Sequence, residues 1–226
     1  MKEIAQINPI ENNAHPSKAE LFDLEKMAED GMITDSIYNT IKENPFCIEM
    51  IKEIAEFDEI TFKHSFGVAR YVELISKKIG LDKRTAEDLI LAALLHDLGK
   101  SDEDISKVVK KNGPLDSREK EIMRRHPEIA FRRLEGRAND VVRKIVVAHH
   151  EDNYRTGSVK SQPENLELPL RIFFISDDFD ALISERQYKE GLPIDEVEEI
   201  LRKKFKRDDD QRFIDILVDD FKNKIQ

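Results

Sequence analysis

Apolar residues recur along the chain with the spacing of helix faces rather than of strands. From Thr61 to Ile79 the apolar side chains fall largely on one side of a helix, and Gly80 ends the segment. Few stretches alternate apolar and polar residues in the way that a half-buried strand requires. The pattern therefore predicts an all-α fold.

The predicted helices cover most of the chain and leave one long polar interruption at residues 152–167. Residues 84–98 are apolar almost all round in their second half, which is typical of a central buried helix. Pro169 and Pro193 are expected at helix starts, where a missing N–H breaks no helical hydrogen bond. The predicted helices are residues 18–32, 34–44, 46–57, 61–79, 84–98, 104–111, 117–134, 138–147, 170–184, 194–205 and 211–224.

The chain has 226 residues, enough for one large domain or for a domain with an appendage. We expect residues 1–57 to form an N-terminal helical extension and residues 58–226 to form the main domain. The extension is interpreted as a sensor remnant, a lid or a dimerisation element. The last of these would make the protein a homodimer.

Charge and hydropathy restrict the partners of the protein. The formal net charge is −10, which argues against general binding to DNA, RNA or anionic membranes because these need a positive surface. The longest apolar run, Leu89–Leu95, is far shorter than the roughly 20 residues that span a bilayer. The N-terminal residues do not show the basic stretch followed by an apolar stretch that is typical of a secretory signal, so we expect a cytoplasmic protein. Cys47 is the only cysteine, which excludes an internal disulfide and a cysteine-based metal cluster.

Side chains that bind cations follow three apolar runs. Imidazoles and carboxylates at the mouth of a dry core cost free energy unless something compensates them. A divalent metal ion does so, since both groups are its usual ligands. The three sites are His96-Asp97 after residues 89–95, His149-His150 after residues 145–148 and Ser176-Asp177 after residues 172–175.

Each candidate ligand also has a plainer interpretation when it is taken alone. His64 and His126 are compatible with ordinary hydrogen-bonded helix residues, and Asp177 with a surface acid. That interpretation must treat five of the six histidines as coincidence. The set as a whole therefore favours a metal site.

The segment His96-Asp97-Leu98-Gly99-Lys100 resembles the signature of the HD-domain phosphohydrolases. The surrounding segments resemble the HD-GYP branch, whose known members hydrolyse the bacterial messenger cyclic di-GMP. The resemblance covers about residues 58–224 and implies an HD-domain helical bundle with phosphodiesterase activity. The other matching segments are His64-Ser65, residues 105–123, residues 126–129, His149-His150-Glu151, residues 177–182, Arg186 and Tyr188-Lys189.

The resemblance implies two divalent ions that share a hydroxide, which attacks the phosphorus of the substrate. Histidine and carboxylate ligands make iron and manganese the first candidates, with zinc and nickel as alternatives. The implied ligands are His64, His96, Asp97 and Asp177 for one ion and Asp97, His126, His149 and His150 for the other. Asp97 would bridge the two ions.

The resemblance also implies residues that act on the substrate. Asp97 and Lys100 are expected to be catalytic, and Lys100 lies one turn past the HD pair. The implied substrate contacts are Lys100, Asp180, Arg186 and Lys189. The substrate would be a cyclic dinucleotide, first of all cyclic di-GMP, opened at one 3′–5′ bond.

Two positions depart from the family pattern. The Gly-Tyr-Pro segment that names the branch reads Gly157-Ser158-Val159 here, with Tyr154 as the nearby aromatic. Some members also use a glutamate four residues before the first histidine to hold a third metal ion. That position is Ile60, so we expect two ions.

The altered loop leaves two alternative functions open. One is hydrolysis of another nucleotide or phosphate ester by the same kind of site. The other is a non-catalytic module that binds a nucleotide or a signalling partner. The complete series of ligands favours an enzyme.

Overall fold

The structure is a computed structural model that describes residues 22–111, 113–150, 164–184 and 191–225. Within these ranges the chain forms twelve α-helices and one short 3₁₀ helix and contains no strand, so the predicted all-α fold is confirmed. The helices are α1 (Leu24–Glu29), α2 (Asp35–Glu43), α3 (Phe46–Phe57), α4 (Glu59–Ile79), α5 (Lys83–Leu95), the 3₁₀ helix (Leu98–Ser101), α6 (Glu103–Val109), α7 (Ser117–Met123), α8 (His126–Arg133), α9 (Asp140–Ala148), α10 (Glu164–Ile183), α11 (Ile194–Lys204) and α12 (Asp208–Ile225).

Local polar signals fix the two central helices, α4 and α5. The carboxylate of Asp58 accepts a hydrogen bond from the backbone N–H of Thr61 at the start of α4, and Asp82 does the same at the start of α5. Such caps satisfy N–H groups that have no partner within the helix. Gly80 ends α4 in the left-handed region with φ 72°, where a residue with a side chain is strained.

The centre of the fold is α5, which packs against α4, α9 and α10. Every side chain from Leu89 to Leu95 is at most 4% exposed, and residues 172–175 of α10 are at most 1% exposed. Because α5 is apolar on all sides at its C-terminal end, the residues that follow it are carried deep into the molecule. None of the helices in the described ranges combines the length and apolar composition needed to cross a membrane.

The N-terminal helices α1–α3 pack onto the same hydrophobic core as the rest of the chain. Ile41 of α2 and Ile51 of α3 are at most 1% exposed. Helix α3 contacts α4, α5 and the 3₁₀ helix. The predicted boundary between an extension at 1–57 and a domain at 58–226 stays a prediction, and residues 1–21 lie outside the described ranges.

The prediction of one helix over residues 117–134 is wrong, because two helices, α7 and α8, cover this segment. The break lies just before Pro127, the second residue of α8. A proline cannot donate the backbone hydrogen bond that would join the two helices, and it disfavours helical geometry in the residue before it. The amphipathic pattern continues across the break, which is why the hydrophobic spacing alone predicts a single helix.

The predicted start of the helix at residue 170 is also wrong. Helix α10 begins at Glu164, so Pro169 lies inside the helix rather than at its first residue. Pro169 removes one backbone hydrogen bond near the N-terminal end of a 20-residue helix, and buried neighbours such as Leu170 keep the segment packed. Pro193 does precede α11, as predicted.

Candidate metal centre

Seven candidate ligands meet at one end of the core. The rings of neighbouring histidines lie 4.1–5.2 Å apart, centroid to centroid. Six of the seven are at most 9% exposed, and His150 lies at the exposed edge. The ligands are His64 in α4, His96 and Asp97 after α5, His126 in α8, His149 and His150 after α9, and Asp177 in α10.

Two of the histidines follow the last turn of a helix and are oriented by it. Nδ1 of His96 donates to the backbone carbonyl of Ala93 at 2.8 Å, and Nδ1 of His149 donates to that of Val146 at 2.6 Å. The last carbonyls of a helix have no N–H partner in the helix. Because a carbonyl only accepts, a neutral ring held this way keeps its proton on Nδ1 and directs the lone pair of Nε2 into the site.

His126 reaches the same arrangement through a proline. Pro127 has no N–H with which to bond the carbonyl of Met123, four residues earlier. Nδ1 of His126 donates to that carbonyl instead, at 2.6 Å. The break between α7 and α8 therefore orients a ligand. His96, His126 and His149 are called the helix-end histidines below.

Asp97 lies between two groups of ligands and faces a different group with each oxygen. Oδ1 is 3.3 Å from Nε2 of His126 and 3.7 Å from Nε2 of His149. Oδ2 is 3.4 Å from Nε2 of His96 and accepts a hydrogen bond from Nζ of Lys100 at 2.6 Å. A carboxylate that is 1% exposed and faces two groups in this way is placed to bridge two cations.

The two groups are named after one member each. The His126 group consists of His126, His149 and His150 together with Oδ1 of Asp97. The His64 group consists of His64, His96 and Asp177 together with Oδ2 of Asp97. In the His64 group, Nε2 of His64 lies 3.1 Å and Nε2 of His96 lies 4.0 Å from Oδ1 of Asp177.

Two observations indicate that the residues of the two groups are suited to bind divalent cations. Oδ1 of Asp97 is fully buried and makes no hydrogen bond of acceptable geometry. Nε2 of His126 and Nε2 of His149 lie 3.0 Å apart although the Nδ1 atom of each ring already donates to a carbonyl. Two lone pairs that face each other beside a carboxylate repel one another unless a cation lies among them. Neutral imidazole and carboxylate are suitable ligands for such a cation.

The pKa values of the buried carboxyl groups favour the ionised form that metal ligands need. Burial opposes the ionised form of Asp97, but the charges of His96 and Lys100 outweigh it and hold the pKa of this carboxyl well below its usual range. Burial likewise opposes the ionised form of Asp177, and the hydrogen bond and charge of His64 outweigh it and lower the pKa. Both carboxylates therefore remain ionised at neutral pH.

The pKa values of His149 in the His126 group and of His64 in the His64 group are displaced in opposite directions from that of an ordinary histidine. Burial lowers the pKa of His149 to about 4, so its ring is neutral at pH 7 and carries no proton between Nε2 and His126. Burial acts in the same direction on His64, but hydrogen bonds to Asp177 and Asp180 outweigh it and raise the pKa of His64 to about 9. A cation bound by the His64 group must therefore displace a proton.

Residues 61–182, more than half of the chain, match the HD domain family. The chain belongs to the HD domain family. The match contains all seven candidate ligands, and the HD pair of the signature is His96-Asp97 at the C-terminal end of α5. The resemblance to the HD-domain family is thereby confirmed.

Two curated relatives with HD-type sequences are similar to this chain. The cyclic di-GMP phosphodiesterase response regulator RpfG of Xanthomonas campestris is 34% identical over 152 residues, which are 64% of this chain and 39% of RpfG. The 3′3′-cGAMP-specific phosphodiesterase 2 of Vibrio cholerae is 30% identical over 163 residues, which are 70% of this chain and 31% of that protein. The chain thus spans less than half the length of these relatives.

A solved HD domain has the same fold. The HD domain of the phosphodiesterase PgpH of L. monocytogenes, in complex with cyclic-di-AMP, aligns with a TM-score of 0.56 and 17% sequence identity. The alignment covers 77% of this chain and 96% of the other. At this identity the likeness shows the HD-domain helical fold alone.

A cavity of about 390 Å³ borders the candidate metal centre of this HD domain. His64, His126 and His150 lie along one side of it, and the cations Lys100 and Lys111 line it as well. Nζ of Lys111 lies 2.7 Å from both carboxylate oxygens of Glu119. Much of the remaining wall is apolar and consists of Ile60, Val108, Val109, Leu115 and Met123. The cavity thus combines two lysine ammonium groups and the carboxylate of Asp58 with an apolar wall next to the candidate ligands.

The other predicted site residues differ in where the structure places them. Lys100 lines the cavity, and Ile60 adds an apolar side chain there. The carboxylate of Asp180, expected to contact substrate, is 3% exposed and bonds Nδ1 of His64. Arg186 and Lys189 lie outside the described residues, as do Tyr154 and Gly157-Ser158-Val159.

Two glycines make room for the site, and the sequence signals only one of them. A Cβ atom on Gly99 would lie 2.0 Å from the backbone oxygen of His126, so only glycine lets the 3₁₀ helix approach α8 this closely. A Cβ atom on Gly67 would lie 1.9 Å from Oδ1 of Asp180. Gly99 belongs to the HD signature and was open to prediction, whereas Gly67 lies in the middle of a helix and has no recognisable motif.

Proposed function

We propose that the protein is a metal-dependent phosphodiesterase of the HD-GYP branch that opens one 3′–5′ bond of a cyclic dinucleotide. The observation that carries this proposal is Asp97, whose two oxygens face two separate groups of nitrogen ligands. A pair of metal ions about 3.5–4 Å apart is a common catalyst for phosphodiester hydrolysis. Cyclic di-GMP is the first candidate substrate.

The similar proteins support a cyclic dinucleotide as the class of substrate, but they do not agree on which purine bases it carries. Their names mention cyclic di-GMP, 3′3′-cGAMP and cyclic-di-AMP. These molecules share a ring with two phosphodiester bonds and differ in their purines. The cavity beside the centre offers positive charge for phosphate and an apolar wall for a purine, which suits the shared features.

We infer two divalent ions, one held by the His64 group and one by the His126 group. Iron and manganese suit the mixture of imidazole and carboxylate, and zinc and nickel are alternatives. When bound, such ions supply Lewis acidity and an activated water for in-line attack on phosphorus. The side chains of the protein contribute the position of the ions, the exclusion of bulk water and the binding of the phosphate.

Lys100 is proposed to act on the substrate directly. Its ammonium group is bonded to Oδ2 of Asp97 and borders the cavity, with the side chain 20% exposed. A phosphate that enters the cavity would lie close to this charge, which stabilises the extra negative charge that develops during attack. Asp97 keeps Lys100 in place while it holds the metal ions. We also propose Arg186 and Lys189 as phosphate contacts on the resemblance to the family.

The proposal is tested by turnover of a panel of cyclic dinucleotides by protein loaded with manganese or iron. We expect linear dinucleotide from at least one member of the panel, and first from cyclic di-GMP. His150→Ala, which removes one ligand from the exposed edge, should reduce the rate at least about 100-fold. Glu199→Ala, which removes an exposed ion pair with Lys203, should leave the rate unchanged.

The outcomes of this assay separate the alternatives. Hydrolysis of a mononucleotide or another phosphate ester, with cyclic dinucleotides left intact, would favour the second candidate activity. The presence of Ser158-Val159 in place of the Tyr-Pro of the family pattern motivates that candidate. Stoichiometric binding of a cyclic dinucleotide by metal-loaded protein without any product would favour a non-catalytic binding module instead.

We further propose the domain division at residues 57 and 58 and a cytoplasmic location. The net charge of −10 supports a protein that binds neither nucleic acid nor anionic membrane. Sedimentation of the full chain at increasing protein concentration tests whether it forms a homodimer.

A further inference from the structure

His64 differs from the helix-end histidines in its position along a helix. It is the sixth residue of the 21-residue helix α4, where the carbonyls of neighbouring turns already accept N–H groups of the helix. No helix end offers it a spare carbonyl, as Ala93 does for His96. Its Nδ1 atom must therefore find an acceptor on another element of the fold.

Asp180 of α10 supplies that acceptor. Nδ1 of His64 lies 2.6 Å from Oδ2 of Asp180, the two residues being 116 positions apart in sequence. The carboxylate of Asp180 is 3% exposed. A buried carboxylate that accepts the Nδ1 proton fixes the ring with Nε2 toward the site, and metal-binding histidines often have such a partner.

Gly67 leaves the space that this contact needs. It lies three residues after His64, on the same face of α4. A Cβ atom at this position would lie 1.9 Å from Oδ1 and 2.8 Å from Cγ of Asp180. Any other residue at position 67 would therefore push the carboxylate away from the imidazole. The glycine lies inside a helix, where it is less favourable for helix stability than alanine.

We propose that Asp180 is a positioning residue for His64 and that Gly67 leaves the space its carboxylate needs. We propose further that the hydrogen bond between Asp180 and His64 selectively strengthens metal binding by the His64 group. The helix-end histidines donate to neutral carbonyls, whereas His64 donates to a full negative charge. A negative acceptor makes the imidazole a stronger donor to a metal ion and adds attraction for the cation. This inference rests on the proposed metal centre.

The test is a titration of metal-free protein with manganese in a buffer of defined free metal concentration, followed by metal analysis and electron paramagnetic resonance. Wild-type protein should bind two ions whose spins are coupled. Asp180→Asn keeps an oxygen acceptor and loses the charge, so it should weaken one of the two ions about 10-fold. Asp180→Ala loses the acceptor as well and should weaken the same ion about 100-fold.

Spectra at intermediate free manganese identify the effect as local. Both variants should lose the coupled signal and show an isolated manganese ion in the His126 group, whose affinity stays as in wild type. Gly67→Ala should act in the same direction, because its methyl group displaces Asp180. The matched control is Asp210→Asn, which removes a buried carboxylate charge paired with Arg171. It should retain two coupled ions.

The possible failures are distinguishable. If wild-type protein binds two ions and both Asp180 variants bind them equally tightly, the positioning role is wrong and the metal centre stands. Equal weakening of both ions in the Asp180 variants and in Asp210→Asn would also overturn it, since the effect would then be general. If the wild-type chain binds none of manganese, iron, zinc and nickel, the proposed function and this inference fail together.

Discussion

His64 and the helix-end histidines all direct Nε2 into the centre, but different parts of the chain orient them. Each helix-end histidine bonds a carbonyl three residues earlier, which a helix end or a proline break leaves without a partner. His64 lies within a continuous helix and depends on Asp180 of another helix. Three ligands are therefore oriented by local chain geometry, and one depends on the packing of α4 against α10. Disturbances of that packing should affect one ligand group and spare the other.

The largest expected effect comes from the one residue that belongs to both groups. Asp97→Asn keeps the shape of the side chain and removes the charge that both groups share. We expect loss of both ions and a fall in turnover of about 1000-fold, since metal ions supply several kcal/mol of charge stabilisation at about 1.4 kcal/mol per factor of ten. Metal analysis and the assay on cyclic dinucleotides measure the two effects. Retention of one tightly bound ion would show that the groups do not share this carboxylate.

The second largest expected effect concerns the free energy of unfolding of metal-free protein, to which His149 and His64 contribute with opposite dependence on pH. The pKa of His149 is about 4 when folded, below the roughly 6.5 of an unfolded histidine. Between these values the unfolded chain binds a proton that the folded chain does not, so the free energy of unfolding falls by up to about 3 kcal/mol as the pH drops from 6.5 to 4. The pKa of His64 is about 9, so its contribution is complete below pH 6.5 and is lost as the pH rises through 9.

Urea unfolding at a series of pH values in the presence of a chelator measures both contributions. His149→Gln should flatten the acid limb of the stability profile relative to wild type, and His64→Gln should flatten the alkaline limb. The difference between each variant and wild type removes the contribution of all other groups. An unchanged acid limb in His149→Gln would contradict the idea that this ring is buried in its neutral form.

The smallest effect is expected at the proline that leaves a carbonyl for His126. Pro127→Ala restores an N–H that competes with Nδ1 of His126 for the carbonyl of Met123. A hydrogen bond of this kind contributes about 1 kcal/mol, so affinity for the ion of the His126 group should fall about 5-fold. The ion of the His64 group should be unaffected. Manganese titration checks this, and equal affinity in variant and wild type would show that the helix break does not orient the ring.

The sequence predicts the parts of the site that short segments specify. The apolar run from Leu89 to Leu95, followed by His96 and Asp97, indicates both the buried helix and the candidate ligands after it. The structure has the buried helix, and both residues are 1% exposed directly after its end. The apolar run that ends at Ala148 likewise indicates a buried helix that is followed directly by the candidate ligand His149. In these cases a chain that must bury one segment necessarily carries the next residues into the interior.

Other features depend on contacts between segments that are distant in the chain, and they cannot be predicted from the sequence alone. The hydrophobic spacing runs through the break between α7 and α8, so only Pro127 signals it. Asp180 lies three residues after Asp177, and nothing in that spacing shows that its carboxylate contacts His64 of α4. Gly67 is explained only by the carboxylate that lies against it. The orientation of His64 is thus a property of the packed fold.

The central claim is that two cations bind on either side of Asp97. Anomalous diffraction from crystals of manganese-loaded protein tests it most directly. The account predicts two peaks about 3.5–4 Å apart, with Asp97 contacting both, His64 contacting one and His126 contacting the other. A single peak, or peaks that leave Asp97 or the helix-end histidines without a metal ion, would contradict it.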